Sequence, residues 1–71
     1  MAVFTEAHVG DGERKTFDFA HGLGTTKIEV IAYNRFDQLT MLNHRVKTPN
    51  LVEVEFFYIP KPGELTVEIS S

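Results

Sequence analysis

The sequence contains no cysteine, so neither a disulfide framework nor a thiolate zinc site can brace the fold. It has no excess of positive charge either: seven Lys and Arg stand against ten Asp and Glu, for a formal charge of −3. That balance argues against nucleic acid or an anionic membrane as the main partner. No apolar stretch approaches the roughly 18 residues of a membrane-spanning helix. The opening run Met1-Ala2-Val3-Phe4-Thr5-Glu6 lacks the basic start and apolar core of a signal peptide, so a soluble chain made in a cytoplasm is expected. Repeats, linkers and low-complexity tracts are also missing, which leaves every segment available to one fold.

What is present is enough for a single domain over residues 1–71. With 42% hydrophobic residues and many β-formers, the chain is outside the range of intrinsic disorder. A chain this short buries only about 60% of the surface its unfolded form exposes. Unstapled domains of this size often gain stability from a partner or from self-association.

The hydrophobic period is two along most of the chain, the signature of half-buried strands. In Leu51-Val52-Glu53-Val54-Glu55-Phe56-Phe57-Tyr58, the residues Val52, Val54, Phe56 and Tyr58 fall on one face, with Glu53 and Glu55 on the other. Pro60-Lys61-Pro62-Gly63 reads as a turn, after which Leu65, Val67 and Ile69 alternate inward again. These two segments are expected to form an antiparallel hairpin. Upstream, Phe17 and Phe19 share a face, and residues 27–33 (KIEVIAY) begin with the same alternation before becoming apolar on both faces. A first strand over residues 3–8 (VFTEAH) leads to a turn at Gly10-Asp11-Gly12. His21-Gly22-Leu23-Gly24 makes the next link, with Leu23 tucked beneath it. Residues 38–47 (QLTMLNHRVK) read as one more strand, ended by Thr48-Pro49-Asn50. The expected fold is all-β, a small antiparallel β-sandwich or partly open barrel of five to six strands.

Catalytic machinery is not legible, and no cofactor or metal is expected. His8, His21 and His44 are scattered without metal-ligand spacing, and His21 is assigned a turn-stabilising role. Glu53 and Glu55 share an outward face, with Glu68 a possible neighbour, but paired acids hydrolyse glycosides only across a cleft of defined width. A solvated face is the simpler reading. The Gly-rich turns precede no helix, so they make no phosphate loop. Lys15-Thr16-Phe17-Asp18-Phe19 loosely parallels the aromatic strand of single-strand nucleic-acid-binding barrels. However, Asp18 would repel phosphate, and the basic residues Arg14, Lys15, Lys27, Arg35, Arg45, Lys47 and Lys61 are dispersed. Core phenylalanines are the better reading.

One longer pattern rises above generic β. Val9-Gly10-Asp11-Gly12 is followed by Thr16-Phe17-Asp18-Phe19-Ala20-His21-Gly22-Leu23-Gly24-Thr25 and by the strand Ile28-Glu29-Val30-Ile31-Ala32-Tyr33. It resumes at Val46-Lys47-Thr48-Pro49-Asn50-Leu51-Val52-Glu53-Val54-Glu55-Phe56 and closes on Pro62-Gly63-Glu64-Leu65-Thr66-Val67-Glu68-Ile69. This pattern resembles a small β-sandwich module of tailed-bacteriophage virion proteins. The chain departs from it between Asn34 and Met41, where Arg35-Phe36-Asp37-Gln38-Leu39 replaces a polar, Gly-containing turn. The resemblance implies a non-enzymatic virion structural protein that acts through protein–protein contacts and is made in the host cytoplasm. The start at Met1 and end at Ser71 favour a free-standing subunit, with capsid decoration or a minor head role first and a tail-fibre or minor tail module as the alternative. The implied partners are the major capsid or tail protein and copies of the chain itself, in a multi-copy particle. A single-strand nucleic-acid-binding barrel is the reading from another class.

A core one sandwich thick leaves Ile31, Tyr33, Phe36, Phe57 and Ile59 without an inward partner. Ile31 and Tyr33 share the outer face of their strand, and Phe57 and Ile59 alternate outward from the expected hairpin. Together they are the expected protein interface, anchored on Tyr33 and Phe57.

Overall fold

The computed structural model describes Val3–Ser71; Met1 and Ala2, which open the N-terminal run read above, lie outside the described residues. Alternating side chains draw most of the chain into strands. These are β1 (Val3–Val9), β2 (Thr16–Ala20), β3 (Glu29–Asn34), β4 (Leu39–Thr40), β5 (Leu42–Thr48), β6 (Leu51–Phe56) and β7 (Leu65–Ser70). One sheet has the order β1-β7-β3-β4 and the other β2-β6-β5, with every pair antiparallel. The fold is therefore the all-β class that the periodicity predicts, two small sheets layered as a sandwich.

The most apolar strands take the central positions, where both neighbours shield them. Val52, Val54 and Phe56 of β6 and Leu65, Val67 and Ile69 of β7 are all fully buried. Val9, Phe19 and Ala32 complete the core, and Phe4, Phe17, Leu23, Ile28, Val30, Leu42 and Val46 pack around it. The Phe17 and Phe56 rings meet at 5.9 Å and 58°, a tilted contact favoured by the ring quadrupoles. The inward residues expected from alternation thus form the core. Val9 and Ala32 join them without a sequence signal, since one follows a bulge and the other is small.

Three expectations are corrected. β6 and β7 do not form a hairpin: β6 pairs with β2 and β5, whereas β7 pairs with β1 and β3. The segment with Pro60 and Pro62 crosses from one sheet to the other, a step of about 10 Å, and proline supplies no ladder donors. β6 ends at Phe56, so Tyr58 is exposed rather than inward. Residues 38–47 are not one strand: β4 lies in one sheet, the chain breaks at Met41, and β5 lies in the other. Strands that change sheet in this way form the corners of sandwiches.

Both ends of the sandwich are tied by loop-to-loop hydrogen bonds. At one end the Gly12 amide donates to the Pro60 carbonyl (2.9 Å) and the Gly63 amide to the Gly10 carbonyl (3.1 Å). Gly10 has φ of 124°, and a Cβ there would collide with the Lys61 carbonyl oxygen, so this close approach requires glycine. At the other end the Thr25 amide donates to the Pro49 carbonyl (2.9 Å) and the Gly24 amide to Asn50 Oδ1 (2.8 Å).

Candidate functional site

Among the described residues, His21 is the one buried polar side chain, 6% exposed, and it works on the backbone. Its Nδ1 accepts the Leu23 amide at 3.1 Å, which fixes the link between β2 and β3 and seats Leu23 against the core. This is the turn-stabilising role expected from sequence. An acceptor Nδ1 leaves the ring proton on Nε2, which is buried and has no hydrogen-bond partner. Among the described residues, no group of three or more His, Asp or Glu is placed to hold a metal ion.

The outer face of β2-β6-β5 is closed by charge pairing. Register sets Asp18 opposite Glu53 and Glu53 opposite Arg45. Arg45 reaches Glu53 at 3.0 Å, and Lys47 bridges Asp18 at 3.2 Å and Glu53 at 3.5 Å. Glu55 shares this face, but Glu68 does not: it pairs with Thr5 and Ile31 in the other sheet. The expected solvated face is therefore a cross-strand ion-pair ladder, and the possible third carboxylate belongs elsewhere. Phe19 is buried and Phe17 half-buried, which makes them core side chains rather than a stacking platform.

A second electrostatic feature lies in the β1–β2 turn. Asp11 Oδ1 accepts the amides of Arg14 (2.8 Å) and Glu13 (2.9 Å), while Oδ2 accepts Arg14 Nε at 2.8 Å. The Arg14 amide and then its guanidinium favour the carboxylate, which lowers the Asp11 pKa from 3.8 to about 2. Arg14 also lies 5.1 Å from the centroid of the Phe17 ring.

The five expected interface residues are not on one face. Ile31 and Tyr33 stand on the outer face of β3, with Leu39 of β4 paired to Tyr33; Ile31 is exposed and Tyr33 half-buried. Phe36 occupies the β3–β4 turn, and Phe57 and Ile59 lie in the irregular connection after β6 rather than in a strand. Because β3, β6 and β1 all finish at the end where β7 begins, these loops gather there. Exposure is highest at and beside that end: Phe36 69%, Leu39 72%, Met41 70%, Phe57 58% and Ile59 52%, with Tyr58 also exposed. Sequence reading missed Leu39, Met41 and Tyr58 as surface residues. The usable signal was the length of the 57–64 connection, too long for a tight hairpin.

The β3–β4 turn is firm despite its exposure. Asn34 Oδ1 accepts the amides of Phe36 (2.9 Å) and Gln38 (3.1 Å), and Asn34 Nδ2 donates to Gln38 Oε1 at 3.0 Å. These bonds hold Phe36 outward at the tip of the turn. Across from it, residues 61–64 complete a cleft of about 320 Å³.

This arrangement defines a two-sheet antiparallel sandwich with one ion-paired face and one apolar end. No family model, no curated protein and no solved structure matches the chain.

Proposed function

We propose that this domain is a non-enzymatic structural component of a tailed-bacteriophage particle, a capsid decoration or minor head protein that works through protein–protein contacts. The observation that carries the contact role is the concentration of Phe36, Leu39, Met41, Phe57, Tyr58 and Ile59 at and beside one end of the sandwich. Large apolar side chains grouped on a small domain mark a surface that gains free energy when covered. Aromatic side chains supply the anchors of such interfaces, and Phe36 and Phe57 are placed for it. The assignment to a virion rests on the resemblance of the strand-and-turn pattern, from Gly10-Asp11-Gly12 through His21-Gly22-Leu23-Gly24-Thr25 to the last strand.

Mass spectrometry and immunogold labelling of gradient-purified particles test this reading. The chain is expected in many copies on the head. Labelling confined to the tail would move it to the tail-fibre or minor tail alternative. Recovery solely in the soluble fraction would contradict a virion role.

A further inference from the structure

We infer that the cleft between the β3–β4 turn and residues 61–64 binds a carboxylate side chain of an acidic segment of a partner protein. The inference rests on the reading of the domain as one that works by protein contact, and it names the chemistry of the contact. One wall of the cleft carries Asn34, Arg35 and Phe36; the other carries residues 61–64, including Lys61 and Glu64. Arg35 lies 5.2 Å from the Phe36 ring centroid, so cation and ring form one unit.

The charges in this cleft are used unevenly. The cations of the outer ladder and of the β1–β2 turn, Arg45, Lys47 and Arg14, each hold a carboxylate. Among the described residues, Arg35 and Lys61 hold none, nor do Lys15 and Lys27, but Arg35 and Lys61 line one cleft together. Glu64 lines the cleft as well, where its Oε1 accepts the Lys61 amide at 2.8 Å and its Oε2 the Tyr58 hydroxyl at 3.4 Å, so one anion stands against the two cations. The cleft thus presents two cations without a carboxylate partner against the single carboxylate of Glu64, with a guanidinium suited to bidentate carboxylate recognition beside an exposed aromatic ring.

Charge complementarity selects an acidic occupant, and the surroundings select a protein. Phe57, Ile59 and Met41 are apolar surface at or beside the same end, which a polypeptide with hydrophobic side chains covers and a sugar does not.

Titration of the isotope-labelled chain with the blocked tripeptide acetyl-Phe-Glu-Leu amide, followed by amide NMR, tests this. Shifts are expected at Arg35, Phe36, Gly63 and Glu64. The Gln counterpart of the peptide is expected to bind about tenfold more weakly, as is the Glu peptide to an Arg35→Ala/Lys61→Ala variant. Both positions are exposed, so the variant should retain the wild-type spectrum elsewhere. Equal binding of the Gln peptide, shifts confined to other regions, or glucuronate binding as tight as the peptide would each overturn the inference. So would the same shifts on raising the protein concentration alone, which would make a second copy the occupant. Failure here with the chain still recovered on purified particles would refute the cleft and leave the virion reading standing. Peptide binding with no chain on particles would do the reverse.

Discussion

Phe56 shows how much of this fold depends on single side chains. It is 1% exposed at the end of β6 and meets Phe17 across the core. Truncating it to alanine is expected to cost about 3–5 kcal/mol, a large share of the roughly 5–10 kcal/mol that holds a domain this small. Thermal melting checks this, and a Phe56→Ala variant that melts with the wild type would mean that the residue is not in the core. Gly10 is constrained in another way: its φ of 124° and the Lys61 carbonyl both exclude a side chain. Gly10→Ala should lower stability by about 1–3 kcal/mol and loosen the tie between the first turn and residues 60–63. Gly22, which has open space around it, should cost less on the same substitution, since only its positive φ is strained. Asp11 gives a pH signature. Its folded pKa of about 2 lies below the ordinary 3.8, so its turn contributes stability that is present above pH 3.8 and lost as pH falls through 2. Urea midpoints measured from pH 5 down to pH 2 should therefore fall less in Asp11→Asn than in the wild type.

At the level of strands, β3, β6 and β7 are each flanked on both sides, β3 on one side only by the two-residue β4, whereas β1, β4, β2 and β5 are edges. Amide exchange should therefore be slowest at Val52, Val54, Val67 and Ile69 and fastest through β4 and residues 57–60. Slow exchange at Leu39 or Phe57 would contradict that order. These strands also mark what the sequence reveals and what it hides. The alternation of Val52, Val54 and Phe56, and of Leu65, Val67 and Ile69, is a local property, so their burial is legible from the sequence. Pairing is not local. The Pro60-Lys61-Pro62-Gly63 turn reads as a hairpin because it separates two alternating segments, yet a sandwich also needs links between its layers, and composition does not separate the two cases. The division of residues 38–47 at Met41 is hidden for the same reason: both halves are strand-like, and only the positions of β3 and β6 decide which sheet each joins. Of the candidate site, the outward direction of Ile31 was legible because it follows from a strand period. Phe57 and Ile59 are exposed in the connection after β6, and their grouping with Phe36 arises from the topology that brings three loops to one end.

The whole molecule measures 30 × 21 × 16 Å and is asymmetric in its surface. The β2-β6-β5 face pairs most of its charges internally through Arg45, Lys47, Asp18 and Glu53, with Glu55 exposed beside them. Exposed pairs of this kind contribute little stability, about 0–1 kcal/mol each, but they leave a hydrated surface with no gain from being covered. The loop end has the opposite character, with large apolar side chains held outward by a turn that Asn34 fixes. Under the proposed function, the domain joins its assembly by this end and leaves the ion-paired face in water. Hydroxyl-radical footprinting of the free chain and of the chain on purified particles, read by mass spectrometry, tests it most directly. Strong protection of Phe36, Met41, Phe57 and Tyr58 is expected on the particle, with no change at Arg45 and Lys47. Protection of the β2-β6-β5 face with continued oxidation at Phe36 and Met41 would contradict it.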